Sequence, residues 1–443
     1  MEYLLGVMVI VIGIPLSIGW HELGHLLPAK LFGVKCPQYM IGFGATLWSR
    51  KVGETEYGVK AVPFGGYVRM IGMYPPKPPS RDGIVRRGRW ASLIEQARDD
   101  ARAEVGPDDG DRQFYQRPVW QRIIIMLGGP TMNLILATVI IGGIAVGYGI
   151  AQQTTTIRSV SRCVLPADAS ENATCSATDR PAPAAAAGVL PGDRLLTFAG
   201  QRVSSWDQTR RLIRDNGDRT VDLTVERGGK ELRLTMTPVS AQRPVLGPDG
   251  GPVKGDNGAW VTEKVGFAGL TAASAVVKQP VTAVPGIIWG QVSGTLDVVL
   301  DVPAKMVGVT KAVFGLEKRD PNGLVSIIGV GRMAGEVASG SALAKDSTVT
   351  DRTVGVLALL GGLNLALFVF NLIPLLPLDG GHVAGALWEA LRRTANRLLR
   401  RPDPGPVDTV RALPLIYAVA SVLVVMGGLL MYADLVSPVR LGG

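Results

Sequence analysis

The chain has 443 residues, of which 47% are hydrophobic, and a positive mean hydropathy, a balance that points away from a soluble enzyme and toward a membrane protein. Its net charge of +9 does not require a nucleic-acid partner, because the basic residues crowd beside the apolar segments.

A helix needs roughly 20 apolar residues to cross the hydrocarbon layer, and four segments supply them. The first runs from Tyr3 to Trp20 without a charge, within a unit expected over 1–33. A secretory signal would open with Lys or Arg, whereas only Glu2 precedes this run. The loop 34–119 follows. Within it, 46–70 alternates and turns like a β-hairpin, with Gly53 and Glu54 near the reversal and Gly42, Gly44, Gly65 and Gly66 flanking it. The mixed charges from Arg81 to Arg112 read as a solvated helix or linker. The second span covers Ile123 to about Ala151, in a unit over 120–151.

Beyond it, 152–182 reads as a linker containing Cys163 and Cys175, which are close enough to close a small disulfide loop. Cys36 is left alone. A compact α+β module is expected over 183–240. The run from Ala187 to Leu196 gives a tight turn into an apolar strand, a helix lies around Gln208 to Arg214, and Val221–Val225 pairs with Leu232–Met236. The stretch 241–353 contains an apolar region from Val284 to Phe314 broken by Asp297, Asp301 and Lys305, which reads as helices lying on the membrane face, with a fifth span as the competing reading. A third span is expected over 354–382, a basic loop over 383–412, a fourth span over 413–433 and a tail over 434–443.

Sidedness follows from the cations. Arg50, Lys51, Lys60, Arg69, Arg86, Arg87 and Arg89 lie between the first two spans, and Arg392, Arg393, Arg397, Arg400 and Arg401 between the last two, so both loops are predicted cytoplasmic. Both termini and 152–352 then fall outside.

Two of only three histidines form His21-Glu22-Leu23-Gly24-His25. On a helix, positions i and i+4 share one face, so both imidazoles reach one Zn²⁺ while Glu22 stands close enough to hold a water. Ionisable groups inside a span are costly, which argues against two merely structural histidines. A tetrahedral site needs a third protein ligand at the same depth. The first and third spans run in the same direction, which places Asp379 level with the histidines, after Pro374 and Pro377 have broken the helix. His382 is the rival ligand. A carboxylate beside two imidazoles is the usual hydrolytic set, which favours Asp379. Such an ion polarises a scissile carbonyl and activates a water whose proton Glu22 accepts. A zinc transporter or metal sensor using the same ligands is the alternative, although transporters generally need more spans and repeated halves.

These motifs, together with Pro63-Phe64-Gly65-Gly66-Tyr67, Gly129-Pro130-Thr131-Met132-Asn133 and the Asn-x-x-Pro-x-x-Pro-Leu-Asp-Gly-Gly string at 371–381, resemble the site-2 protease family. The resemblance is to bacterial members with an extracytoplasmic PDZ domain, in the single-PDZ form of actinobacteria. It implies a polytopic α-helical membrane protein of the bacterial plasma membrane, with four transmembrane helices, a cytoplasmic-side hairpin and one PDZ-like domain outside. It further implies one Zn²⁺ on His21, His25 and Asp379, Glu22 as catalytic base, and Asn371, Gly65 and Gly66 holding substrate. Its substrates would be single-span membrane proteins such as anti-sigma factors, already shortened by a site-1-type protease. The PDZ module could select, filter or dock them.

Overall fold

The computed structural model describes residues 1–439 apart from 77–88, 166–174, 177–178, 246, 248–252, 254–259, 318, 321–322 and 344–346. Arg86 and Arg87 therefore lie outside the described residues. The chain opens with α1 (Glu2–Leu31), β1 (Gln38–Val52), β2 (Thr55–Arg69), α2 (Arg89–Ala103) and α3 (Val119–Gly143), the last prolonged by a π turn (Ile144–Tyr148). There follow β3 (Ile150–Val160), α4 (Pro183–Ala186), β4 (Arg194–Phe198), β5 (Gln201–Arg202), α5 (Trp206–Asp215), β6 (Val221–Arg227), β7 (Lys230–Met236), β8 (Val239–Pro244), β9 (Thr262–Phe267) and β10 (Leu270–Val277). The rest is helical: α6 (Val284–Leu300), α7 (Val302–Val313), α8 (Ile327–Ser339), α9 (Val349–Asn371), α10 (Asp379–Leu398) and α11 (Leu413–Val436). Two compact units result, 1–147 with 280–443, and 148–279.

In the helical unit, α1 and α9 run in the same direction. Arg352 pairs with Glu2 at 2.8 Å, a Cβ on Gly13 would press on Leu360, and Asn364 Nδ2 donates to Ser17 Oγ at 2.9 Å. Helix α3 runs against α1, and the two meet backbone to backbone: a Cβ on Gly24 would stand 2.3 Å from the Gly128 carbonyl oxygen, and one on Gly128 would stand 1.9 Å from that of Gly24. Small residues permit this approach in helices that have no hydrophobic drive to associate in lipid. Helix α8 packs as closely on the other end of α1, where Gly6 meets the Ala334 carbonyl. A buried ion pair between Arg122 and Glu389 ties α3 to α10, and another between Arg319 and Asp434 ties the segment before α8 to α11. Large apolar residues such as Leu5, Ile12, Leu16, Val422, Val424 and Val425 are exposed on α1 and α11, as lipid-facing surfaces require and aqueous ones avoid.

Among the described residues, five helices are long and apolar enough to cross a membrane, one more than the four singled out in the sequence. The extra one spans Val281–Leu300. The sequence reading treated Val284–Phe314 as one region interrupted three times; the chain turns at Asp301 instead, leaving Asp297 as the sole charge within α6. The third apolar helix also differs. It starts at Val349, capped reciprocally by Thr348 and Asp351, and stops at Asn371, so Asp379 does not end that helix but begins α10. The expected basic loop 383–412 is helical as far as Leu398, its arginines lying on an amphipathic helix.

The β1–β2 ribbon is longer than the hairpin expected over 46–70, beginning at Gln38, and it reverses at Gly53, whose φ is +62°. Both strands bend. Residues 38–41 thereby pair with 56–59 on one side and with 66–69 on the other.

The second unit is a sheet in the order β10-β3-β4-β6-β7, with β5 beside β4 and α5 against it, plus a β8–β9 ribbon. Its core gathers Ile157, Leu195, Phe198, Leu223, Val225 and Trp206. Helix α5 and the β6–β7 turn at Gly228-Gly229 fall where the sequence placed them. Asp193 closes its turn by accepting from Leu190 N at 2.9 Å and receiving both Nε and Nη2 of Arg227. The boundaries are wider than the expected 183–240: β3 falls largely in the expected linker 152–182, and β8 to β10 extend the unit into the stretch 241–353. Pairing of β10 with β3 joins residues more than a hundred apart, which local periodicity does not register. Cys163 and Cys175 are bonded and Cys36 is free and buried.

Candidate metal centre and active site

His21 and His25 sit one turn apart on α1, both buried, with their Nε2 atoms 3.2 Å from each other. Asp379 Oδ2 lies 3.2 Å from the first and 3.3 Å from the second. Among the described residues this is the one group of three or more His, Cys, Asp or Glu side chains able to converge on an ion. Zinc bonds of about 2.0–2.2 Å at tetrahedral angles put ligand atoms roughly 3.3–3.5 Å apart, so the triangle fits one face of such a site. The donors fit as well. Asp379 Oδ2 is buried without an aligned hydrogen-bond donor, which is costly for a carboxylate unless a cation meets it. His25 Nδ1 stands 2.8 Å from the Ile125 carbonyl oxygen, which can only accept, so that ring carries its proton on Nδ1 and turns the Nε2 lone pair inward.

Each neighbour is shaped to leave room. A Cβ on Gly129 of α3 would fall 2.3 Å from His25 Nε2 and 2.7 Å from His21 Nε2. The turn 372–378 folds under the start of α10 so closely that a Cβ on Gly380 would strike the Leu372 and Ile373 carbonyl oxygens, and one on Gly381 the backbone of Leu376. The two glycines after Asp379 thus let that turn present the carboxylate to α1.

Glu22 lies within electrostatic reach of both histidines and Asp379, with the Val68 backbone of β2 beside its carboxylate. The ribbon is docked on α1 by the Tyr39 hydroxyl, which donates to the Gly19 carbonyl at 2.6 Å. Gly66 faces Glu22, and a Cβ there would stand 3.0 Å from Glu22 Cγ, whereas one on Gly65, with φ +113°, would run into the Phe43 ring. The structure therefore places Gly65 and Gly66 in the strand that seats Glu22. Asn371 bonds the Leu367 carbonyl of its own helix at 3.0 Å and is not among the groups brought to the triad. His382 stands one turn past Asp379 and lines a cavity of about 630 Å³ with Gln38, Tyr67, Val68 and Met73, outside the three-ligand cluster. Asn133, the last residue of the Gly129-Pro130-Thr131-Met132-Asn133 motif, is not among the site residues expected from the sequence. Its fully buried amide lies 3.1 Å from His21 Nδ1, and its place one turn after Gly129 on α3 was the available signal.

The model of the family described as peptidase family M50 matches residues 9–399. The chain belongs to this family, the site-2 proteases. It is 31% identical over 445 residues to zinc metalloprotease Rip1 of Mycobacterium tuberculosis, covering all of both chains. It is 28% identical to metalloprotease MmpA of Caulobacter vibrioides, covering 84% of this chain and 83% of that one, and 26% identical to regulator of sigma-W protease RasP of Bacillus subtilis, covering 84% and 87%. An M50 peptidase is a metalloprotease, so the His21-Glu22-Leu23-Gly24-His25 motif belongs to a hydrolytic enzyme of the membrane.

Proposed function

We propose that this chain is an intramembrane zinc endopeptidase that cuts the transmembrane segments of single-span proteins, with His21, His25 and Asp379 as ligands and Glu22 as base. The observation that carries the reading is the 3.2–3.3 Å triangle of two imidazole nitrogens and a carboxylate oxygen, set among helices apolar enough to span a bilayer. When bound, zinc would supply Lewis acidity to the scissile carbonyl and make water nucleophilic near neutral pH. The protein residues do the rest. Glu22 takes the proton of the attacking water as the C–O bond forms and gives it to the amine nitrogen as the C–N bond breaks. Gly66 of β2 leaves room for the Glu22 side chain, a Cβ there standing 3.0 Å from Glu22 Cγ.

Helical peptide bonds are shielded, so a substrate must unwind. The stretch 66–69, paired on one side with 38–41 and adjoining Glu22, supports a role as an edge along which an extended segment lies. Gly65, Gly66 and Asn371 belong to this proposal as the substrate-holding set. The arginine-rich loops support a cytoplasmic position for the ribbon and an outer position for the 148–279 unit, which we read as a single PDZ-like domain. Four spans carry this arrangement, with α6 packed beside them. The name of RasP connects that relative with sigma-W regulation, which supports anti-sigma factors as substrates here and a site-1-type protease acting first.

The decisive experiment incubates purified wild-type and Glu22→Gln protein with a single-span model substrate, with and without a chelator. Cleavage by wild type alone, abolished by the chelator, with zinc still bound to Glu22→Gln, is the expected result. Undiminished cleavage by Glu22→Gln would sink the assignment, and zinc flux in place of cleavage would favour transport.

A further inference from the structure

The three α3 positions that face the metal site are Ile125, Gly129 and Asn133, spaced i, i+4 and i+8 and therefore stacked along one face of the helix. Each does something different. The Ile125 carbonyl meets His25 Nδ1, Gly129 leaves the space in front of both Nε2 atoms open, and the Asn133 amide meets His21 Nδ1. The back of each ring is thus held by α3, one by a fixed backbone acceptor and the other by a side chain.

That difference has chemical content. An imidazole that gives its Nε2 lone pair to a cation keeps its proton on Nδ1 and needs an acceptor there. The Ile125 carbonyl serves this one state only. An amide serves either tautomer, because its oxygen accepts and its nitrogen donates, and the two ends exchange by a half-turn about χ2, a broad twofold torsion. In the structure Nδ2 is the end at His21 Nδ1, and Oδ1 is buried with no hydrogen-bond partner. Burying an amide oxygen unmatched costs free energy. Turning the amide matches that oxygen to the Nδ1–H that the ligand state of His21 requires.

We propose that Asn133 is a positioning residue for the metal centre: its side-chain oxygen accepts the Nδ1–H of His21 and so fixes the ring and tautomer that present Nε2 to zinc. This rests on the zinc reading of the preceding subsection. Asn133 acts through His21, whose Nδ1 it meets on the side away from the ligand atom Nε2. An acceptor-only side chain of the same size must then preserve or strengthen binding, and an apolar one of similar size must weaken it.

The test measures zinc affinity of the full-length protein by competition with a chromogenic chelator, alongside thermal unfolding in excess chelator. Loss of an outer hydrogen-bond partner lowers metal affinity roughly 10–100-fold, and Asn133→Leu is expected in that range, with its unfolding in chelator unchanged from wild type. Asn133→Asp is expected to bind at least as tightly as wild type. Wild-type affinity in Asn133→Leu would overturn the proposal, as would equal weakening in both variants. If Asn133→Leu does not fold, Asn133→Asp decides alone, since weaker binding by an acceptor-only side chain contradicts the proposal. A wild-type protein that binds no zinc defeats the zinc reading itself and not the role of Asn133 within it.

Discussion

Gly129→Ala is the sharpest perturbation of the site, because it replaces one hydrogen by a methyl group at the place where the ligands converge. The new Cβ would sit 2.3 Å from His25 Nε2 and 2.7 Å from His21 Nε2, whereas carbon and nitrogen in van der Waals contact stay about 3.4 Å or more apart. One ring must retreat by roughly 1 Å and the other by somewhat less, and α3 cannot yield, since Gly128 already touches the Gly24 backbone. Moving two of three ligands should cost more than the roughly 10–100-fold that follows loss of an outer hydrogen bond, so the affinity for zinc is expected to fall by more than about 100-fold. That loss corresponds to more than about 2.7 kcal/mol. Chelator competition on purified protein reads it directly, with proteolysis falling in parallel. Gly143→Ala, at the end of the same helix, meets nothing within 4 Å and supplies the control. Wild-type zinc affinity in Gly129→Ala would refute the convergence of His21 and His25 on one ion.

Two further predictions concern the scaffold. Glu389 is fully buried, takes both terminal nitrogens of Arg122 and accepts the Val407 N–H at 3.0 Å, so Glu389→Leu leaves Arg122 uncompensated and should cost about 3–5 kcal/mol, with Arg122→Met in the same chain restoring most of it. Equal thermal stability of the single and double variants in detergent would contradict this. In the 148–279 unit, hydrogen bonds from the Arg227 guanidinium hold the Asp193 carboxyl below its ordinary range. A carboxyl depressed in the folded state stabilises above its unfolded value of about 3.9 and loses that contribution as pH falls through the folded value. The melting-temperature lead of wild type over Arg227→Met should therefore shrink on acidification from about pH 5 to pH 3, and a constant lead would refute the linkage.

What the sequence revealed depended on how local the signal was. The His21-to-His25 spacing is a property of one helix, and the α5 and β6–β7 signals lie within 31 residues of one another, so periodicity and turn residues were enough. The direction shared by α1 and α9 followed from counting spans, and it brought Asp379 into range although the helix bearing it was misjudged. Two proline-broken turns separate Asn371 from Asp379, and nothing in a hydropathy profile tells a helix that ends from one that restarts at a new angle. The pairing of β10 with β3 depends on partners distant in sequence, which is why the outer module is wider than expected, whereas the break between α6 and α7 has a local signal in Pro303, in the first turn of α7.

The glycines of the family motifs acquire a common explanation from these contacts. Gly24 and Gly128 bring the backbones of α1 and α3 together, Gly129 clears the ligand atoms, Gly66 lets β2 reach Glu22, and Gly380 and Gly381 let the turn 372–378 fold under Asp379. Each sits where a single methyl group would push one participant away from the metal centre. In lipid, apolar side chains contribute little net drive toward a particular helix contact, so register must come from close backbone approach and from buried polar pairs. Here the glycines set how near the elements come, while the buried pairs Ser17–Asn364 and Arg122–Glu389 fix which residues stand level. Zinc chemistry tolerates misplacement of only a few tenths of an ångström. The absence of side chains at these positions is therefore as much a part of the proposed metal site as the histidines themselves.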